Sequence, residues 1–498
     1  MDDDYYDDMG MEGNPLEGVS EEELMEMLQN YDGELTPELM DMLQSYRQPK
    51  SPEVVYSRSH FSELFDNCML PTWTQLFELL LPLFVYCIIF RILLYLSHLG
   101  TKSYGSPHWL IHLCSAVLGL LALNSFFKVA TLYIVVACFL AYFAYSFVIE
   151  QKREWCGLVG AVIMVVFSLL CELFFVEAET WHKIRGAQII LFMKVISLGV
   201  DIGQGTVFAL PSVVHYAGYC FNVGTVIFGP WISYPQYSKS LDSQSNSLGV
   251  LWILKVLITS VLGVVCLTHS NCFTNWLILD HSWRWFLAYR DAQSFRFSHY
   301  SISFLSEATS TLSGIKFDGP NLQWNVARPH NIELPRSLVE VVTNWNLPMH
   351  FWLKTYIFKL VRPYGTFLAV ILTYAGSALL HGLNFQLAAV LFSLGFYSYT
   401  EFVFRRRLSL IFDACIQARK CKEKCDHKYS RTNPFVIMTN FAFSFLAVFH
   451  LAYLGLMFDS SDGEEKGYTM WHTLEKWSSL NYLSHWIALG TFIFYWLI

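Results

Sequence analysis

Long apolar stretches, separated by shorter polar ones, dominate the chain from residue 77 onward. A helix needs roughly 20 apolar residues to cross a bilayer core about 30 Å thick. Windows of that kind lie near residues 77–97, 108–125, 129–148, 156–176, 248–268, 364–381, 385–403, 434–457 and 483–498. Shorter or more polar windows lie near 185–200, 210–232, 272–288, 297–313 and 350–360. The pattern predicts an all-α polytopic membrane protein with about ten or eleven transmembrane helices, plus re-entrant and interfacial helices covered by protein or a cavity.

A single histidine interrupts one of these apolar runs, at residues 373–386 (TYAGSALLHGLNFQ). A polar side chain at membrane depth is unfavourable unless it lines a cavity or has a partner, so His381 is a candidate functional residue. The alternative is a structural histidine that bonds a carbonyl group of a neighbouring span. Asn346, beside Trp345 and just ahead of Pro348, is its candidate companion. The alternative for Asn346 is a helix cap, and the two roles are compatible.

A second polar pattern runs through residues 294–314 (SFRFSHYSISFLSEATSTLSG). Its polar residues recur near helical spacing, which predicts one polar stripe facing the protein interior. The stripe is expected either to line a substrate path or to join helices through hydrogen bonds. Arg296 and Glu307 are too far apart for one helical turn, so each needs a partner elsewhere. The candidate substrate-binding residues are Arg296, His299, Ser303, Ser306 and Glu307, with Trp345 as a wall of the same path.

The upstream segment 180–201 carries further charged residues at membrane depth. His182, Lys183 and Arg185 are candidates for binding phosphates or capping a helix. For Asp201, structural ion pairing is the expected role.

Composition supports the membrane assignment, because 54% of the residues are hydrophobic and 15% charged, against about a quarter charged in soluble domains. The net charge of −8 combines two different parts. Residues 1–50 carry fifteen acidic residues against Arg47 and Lys50, a balance of −13, so the remainder of the chain stands at +5.

The acidic segment contains a short repeat, ELMEMLQNY at residues 23–31 and ELMDMLQSY at residues 38–46. Each copy predicts a short amphipathic helix that is unstable alone in water. We therefore expect residues 1–66 to be a disordered acidic tail that folds on contact, and residues 67–498 to form the membrane domain. No cleavable signal peptide is visible, so the first span is expected to direct insertion.

Basic loops predict the orientation of the helices. Lys152 and Arg153, residues 405–407 and residues 419–431 are expected to face the cytosol. His381 lies 24 residues before Arg405, roughly 36 Å along a helix, so it belongs toward the lumenal half. A substrate made in the cytosol would have to reach it through a tunnel.

Most of the twelve cysteines lie in apolar windows and are expected to pack as small apolar side chains. The exception is a cluster with the spacing C-x5-C-x3-C-x-H, formed by Cys415, Cys421, Cys425 and His427. That spacing is not a common zinc pattern. We expect lipidated or reduced thiols near a membrane surface, and no metal site.

Six segments of the chain resemble the membrane-bound O-acyltransferase family, in particular its members that acylate Wnt proteins. They follow in the family's order, and the resemblance covers roughly residues 67–498. The segments are residues 180–201, 219–234, 294–314, 333–349, the SALLHG run ending at Gly382, and 449–455.

The resemblance implies a bundle of helices around a central tunnel, with His381 as the catalytic residue and Asn346 as its active-site partner. It implies protein-serine O-palmitoleoyltransferase activity in the endoplasmic reticulum membrane, which enables Wnt secretion and signalling. The donor would be palmitoleoyl-CoA, a fatty acyl-CoA, and the acceptor a serine of a Wnt protein. No permanently bound cofactor is implied. The expected partners are these substrates and the lipid bilayer, and no nucleic acid is expected to bind.

The implied chemistry suits the two residues. Acyl transfer from a thioester needs a base for the hydroxyl proton, and histidine titrates near neutral pH. It also needs a donor for the oxyanion, which an asparagine amide supplies. No Ser-His-Asp triad or Gly-x-Ser-x-Gly turn is evident, so no covalent acyl-enzyme is expected.

Two alternatives belong to other functional classes. A transporter or channel would use His381 as a proton-linked gate, but it predicts inverted repeats of hydropathy, and none is evident. A non-catalytic Wnt cargo chaperone would keep the fold without turnover, and the presence of Asn346 and His381 argues against it.

Overall fold

The computed structural model describes residues 60–103, 108–242, 250–315, 325–422, 425–458 and 469–498. Within these ranges the regular structure is helical, apart from an isolated bridge between Ala414 and Tyr429. The predicted all-α class is therefore confirmed. The acidic segment and its repeat lie outside the described residues.

Sixteen helices of seven or more residues occur in the described ranges. They are α1 Leu70–Ser103, α2 His108–Phe127, α3 Thr131–Lys152, α4 Cys156–Leu170, α5 Ala178–Gly203, α6 Val213–Cys220, α7 Tyr234–Asp242, α8 Val250–Thr268, α9 Arg284–Leu312, α10 Leu338–Trp345, α11 Leu347–Leu353, α12 Thr366–Leu380, α13 Phe385–Phe412, α14 Pro434–Gly455, α15 Met470–Ser479 and α16 Leu483–Leu497. Four π-helical turns, an element common at functional sites, lie at Phe65–Met69, Cys171–Phe175, His269–Phe273 and Lys354–Phe358.

Six helical stretches are long and apolar enough to cross a membrane. They are Phe61–Ser97, Trp109–Phe175, Ala178–Gly203, Leu251–Leu277, Phe385–Phe412 and Pro434–Gly455. The second of them contains three successive helices, α2, α3 and α4. Counting these three separately and adding the shorter apolar helices α12 and α16 gives ten in the described chain, which agrees with the predicted number.

Among the described residues, the first helix is Phe61–Leu64, inside the segment that was predicted to be a disordered tail up to residue 66. That part of the prediction is wrong, because these residues pack. Cys68 forms a disulfide with Cys272, 204 residues later. The Phe65 ring packs edge-to-face against Trp73, with 5.7 Å between ring centroids. Disulfides persist in oxidising compartments, so this end of the bundle is suited to an oxidising environment.

A buried lysine holds the irregular segment that follows α6. Lys194, in the middle of α5, is fully buried and donates hydrogen bonds to the carbonyl oxygens of Tyr219 and Cys220 and to Thr225 Oγ1, at 2.9–3.1 Å. All three ammonium protons are therefore used. Backbone without helical hydrogen bonds needs such partners at membrane depth, so α5 acts as the internal support of this segment.

A buried arginine near the C-terminal end of α13 also provides hydrogen bonds to irregular backbone. Arg405 is fully buried, and its guanidinium donates to five oxygens at 2.7–3.2 Å. The acceptors are the carbonyls of Arg336, Ile416 and Gln417 and the side chains of Glu401 and Asn440. These contacts join α13 and α14 to the start of α10 and to the loop that follows α13.

Replacing Arg405 by methionine should therefore destabilise the bundle. The Glu401 carboxylate and three carbonyl groups would lose their donor in a buried site, at a cost of about 3–5 kcal/mol. Arg406→Met is the matched control, because Arg406 is exposed. Thermal unfolding of both purified variants in detergent should show a lower Tm for Arg405→Met alone, and equal Tm values would refute the assignment.

Candidate active site

An elongated cavity of about 580 Å³ lies among helices α9 to α14. Helix α12 contributes one continuous face to it, through Thr366, Val370, Thr373, Tyr374 and Ser377, and His381 follows at the end of the helix. The 15 residues from Thr366 to His381 correspond to roughly 22 Å of helix. The cavity is thus long and narrow, as a tunnel for a chain-like molecule would be.

His381 is the first residue after α12, and its half-buried side chain lines the cavity. Its backbone N–H donates to Ala378 O at 3.0 Å, which closes the last turn of the helix. No group of the described residues hydrogen-bonds its ring. The imidazole is therefore placed against the cavity by the backbone, with both nitrogens free for a bound molecule.

The turn that carries His381 is held by the carboxylate of a largely buried ion pair. Gly382 adopts φ +74, and the next residue, Leu383, donates its N–H to Glu172 Oε2 at 2.9 Å. Glu172 also accepts from Arg185 Nη2 at 2.7 Å, and the two side chains are 15% and 10% exposed. Glu172 lies in the π-helical turn Cys171–Phe175, so this turn supports the candidate site from the neighbouring span.

Asn346 lies between α10 and α11 in an extended conformation and also lines the cavity. Its Oδ1 accepts the N–H of Met349 at 3.0 Å, so the predicted cap of α11 is present. An acceptor fixed in this way leaves the amide NH2, a donor, as the free end of the side chain. The cap therefore orients Asn346 as a hydrogen-bond donor.

The end of α10 is held by a histidine of the predicted polar stripe. His299 Nε2 donates to Trp345 O at 2.9 Å, and the two rings stack with 4.4 Å between centroids and 10° between planes. Both residues line the cavity. The assignment of Trp345 to a wall of the substrate path stays a prediction.

Arg296 also lines the cavity and has the distant partner that the sequence required. Its Nε and Nη2 donate to the two carboxylate oxygens of Glu333 at 2.7 and 3.0 Å, and Tyr300 adds a third hydrogen bond to Glu333. The remaining nitrogen, Nη1, is buried without a partner among the described residues. Arg296 thus offers the two N–H donors of Nη1, while the Glu333 carboxylate balances its charge.

The remaining residues of the stripe lie outside the cavity lining. Ser303 Oγ is 3.5 Å from His299 Nε2, Glu307 accepts the N–H of Val326 at 2.6 Å, and Ser306 is buried.

The prediction for Asp201 was wrong, because its carboxylate accepts the Tyr356 hydroxyl at 3.1 and 3.2 Å and forms no ion pair with a described residue. Sequence spacing could not show this, since 155 residues separate the two.

Basic residues surround the other end of the cavity. Lys354 and Arg419 line it and are exposed, so they mark its mouth. Burial, followed by the charges of Lys354 and Arg419, lowers the pKa of His350 to about 4. The mouth lies on the same side of the bundle as the basic loops. Helix α4 starts next to Arg153 on that side and ends next to Glu172. Glu172 and His381 therefore lie on the opposite side.

Comparison with known proteins agrees with this arrangement. The model of the MBOAT, membrane-bound O-acyltransferase family, matches residues 120–422. The chain is 41% identical over 470 residues to the mouse (Mus musculus) protein named protein-serine O-palmitoleoyltransferase porcupine, covering 89% of this chain and 99% of the mouse protein. It is 40% identical to the human (Homo sapiens) protein of that name with the same coverage. The mosquito (Anopheles gambiae) protein of that name is 35% identical over 66% of this chain and 72% of its own.

The close packing of the turn after His381 can be tested by replacing Gly382. In Gly382→Ala the new Cβ would overlap Glu172 Oε2, and the left-handed backbone would add about 1–2 kcal/mol of strain. Gly186→Ala is the control, because its Cβ would meet no atom within 4 Å. We expect the Tm in detergent to fall by several degrees for Gly382→Ala and not to fall for Gly186→Ala, because alanine is favourable inside a helix. A shared Tm would contradict the tight contact with Glu172.

Proposed function

The chain belongs to the membrane-bound O-acyltransferase family, and on that basis we propose that it is a protein-serine O-palmitoleoyltransferase. It transfers a monounsaturated fatty acyl group from acyl-CoA to a serine of Wnt proteins. The single observation that supports this most strongly is the tunnel-like cavity, which has His381 and Asn346 in its wall and a basic mouth. The mouse and human relatives, which carry this activity in their name, align over 99% of their length.

The cavity suits an acyl-CoA as the donor. Its walls carry apolar side chains such as Val370, Leu387 and Leu391, which favour burial of a hydrocarbon chain. Phosphate groups of the CoA portion would find Lys354 and Arg419 at the mouth. With the head group held there, the thioester extends inward toward His381 and Asn346.

The proposed reaction assigns one step to each of these two side chains. The serine Oγ attacks the thioester carbonyl carbon while an imidazole nitrogen of His381 takes the hydroxyl proton. The amide NH2 of Asn346 donates to the oxyanion that forms. Collapse of this intermediate breaks the carbon–sulfur bond, and the CoA thiolate takes the proton from the imidazolium. The products are the acylated serine and free CoA, and the enzyme is unchanged.

The orientation of the bundle fits a secreted acceptor in the endoplasmic reticulum. The Cys68–Cys272 disulfide requires an oxidising lumen on one side. The basic loops around Lys152 and Arg405 favour the cytosol on the other side. Acyl-CoA then enters from the cytosolic mouth, and the acceptor serine approaches His381 from the lumenal side.

The decisive experiment replaces the base. Membranes carrying wild-type or His381→Ala protein at matched abundance receive a clickable cis-unsaturated acyl-CoA and a Wnt peptide with one acceptor serine. Loss of the base should lower serine labelling about 10²–10⁴-fold. His330→Ala, an exposed histidine outside the cavity, should label like wild type. Equal labelling by His381→Ala would exclude the assigned base, and labelling of a lysophospholipid in place of the peptide would exclude the protein acceptor.

A second variant separates the two roles of Asn346. Asn346→Asp keeps an oxygen that accepts from Met349 N and so keeps the cap, but it removes the NH2 donor. We expect a Tm near that of wild type and a kcat lower by about 10²–10³-fold, the usual effect of losing one oxyanion donor. Asn346→Ala should lose both cap and activity. Wild-type kcat in Asn346→Asp would mean that Asn346 is a cap alone.

A further inference from the structure

Three cysteines and a histidine meet in the loop that follows α13, well outside the cavity wall formed by His381 and Asn346. The potential ligand atoms of Cys415, Cys421, Cys425 and His427 all lie within 4.8 Å of one another. Cys415 Sγ is 3.0 Å from Cys425 Sγ, and His427 Nδ1 is 3.6 Å from Cys415 Sγ and 3.8 Å from Cys421 Sγ. The four side chains therefore face a common centre.

The backbone closes the loop so that its two ends bring these side chains together. Asp413 adopts a left-handed conformation with φ +47 at the end of α13. Cys415 N–H then donates to Tyr429 O at 3.0 Å, and Tyr429 N–H donates to Asp413 O at 3.0 Å. This pairing explains why a spacing that is unusual for zinc ligands still converges.

A serine fixes the tautomer of His427. The Ser409 hydroxyl donates its proton to Ala414 O at 2.7 Å, so Ser409 Oγ is left as the acceptor for His427 Nε2, 3.2 Å away. The ring proton consequently resides on Nε2, and the lone pair of Nδ1 points toward the thiols. Metal-binding histidines are commonly oriented by such a hydrogen bond on the other ring nitrogen.

The distances agree with tetrahedral coordination. With Zn–S bonds of about 2.3 Å and Zn–N bonds of about 2.0 Å, tetrahedral geometry places two sulfurs about 3.8 Å apart and a sulfur and a nitrogen about 3.5 Å apart. The two sulfur–nitrogen distances match closely. The Cys415–Cys425 separation is shorter than that value and longer than the roughly 2.05 Å of a disulfide.

We propose that Cys415, Cys421, Cys425 and His427 bind one zinc ion in a closed structural site. Three thiolates and one imidazole form a ligand set typical of structural zinc, with no open position for catalysis. The bound cluster would carry one net negative charge, and Arg336 lies close enough to interact electrostatically with Cys415 and Cys421. The expectation of lipidated or merely reduced thiols, which was based on spacing, gives way to this geometry.

The ion would stabilise the loop that anchors α10. The carbonyls of Cys415, Gln417 and Ala418 accept hydrogen bonds from Arg336 and Ser337, and Ser337 caps α10. That helix ends at Trp345, next to Asn346. Zinc bound in the loop thus supports the position of Asn346 from a distance and takes no part in the chemistry.

The test measures zinc in the full-length chain, purified in detergent with a reducing agent. Elemental analysis should find one zinc ion per wild-type chain, and the double variant Cys421→Ser, Cys425→Ser should lose about tenfold or more of it. Cys114→Ser, at a free cysteine in α2, should retain the metal, and so should His427→Cys, because four thiolates also bind zinc. Wild-type zinc content in the double variant would overturn the proposal.

A second measurement uses the wild-type chain alone, in case the double variant fails to fold. Titration with an organomercurial that caps thiolates should release one zinc ion per chain, detected with a metal-sensitive dye. Intact mass and peptide mapping then report the state of the three cysteines. Absence of released zinc, a disulfide between cluster cysteines, or an acyl group on any of them would each overturn the zinc site.

Discussion

Hydrogen bonding of irregular backbone inside the membrane is the constraint on which this structure depends. Hydrocarbon offers no partner to a carbonyl or N–H group outside a helix, yet a cavity needs broken helices around it. The chain meets the constraint with buried polar side chains. Lys194 holds the segment after α6, Arg405 holds the start of α10 and the loop after α13, and Glu172 holds the turn after α12.

The same polar groups that satisfy the backbone also orient the side chains that we propose for the chemistry. Asn346 caps α11 with its oxygen and thereby keeps its NH2 for a substrate. Glu172 receives both Leu383 N–H and Arg185, so one carboxylate fixes the backbone that presents His381. His299 secures the carbonyl of Trp345 immediately before Asn346. Preorganisation of this kind would lower the reorganisation needed in the proposed reaction, and here it follows from the requirements of folding.

Local sequence patterns predicted what depends on local structure. His381 stood out because it is polar within an apolar run, Asn346 because a proline follows it, and the helices because apolar windows have membrane length. The supports of the site were not predictable, because they are long-range. Glu172 is 211 residues from Leu383, and Arg296 is 37 from Glu333. The apolar wall of the cavity could not be predicted either, because residues such as Leu387 follow the same spacing as residues of a packed core.

The cavity also has a consequence for the electrical insulation of the membrane. A continuous water column from the basic mouth to His381 would let protons and ions run down the membrane potential, at about 2.3 kcal/mol per charge for 100 mV. The walls at Val370, Leu387 and Leu391 give hydrated ions no compensating hydrogen bonds, and apolar constrictions exclude water. Apolar side chains in the wall can thus accept a hydrocarbon chain while opposing the passage of hydrated ions.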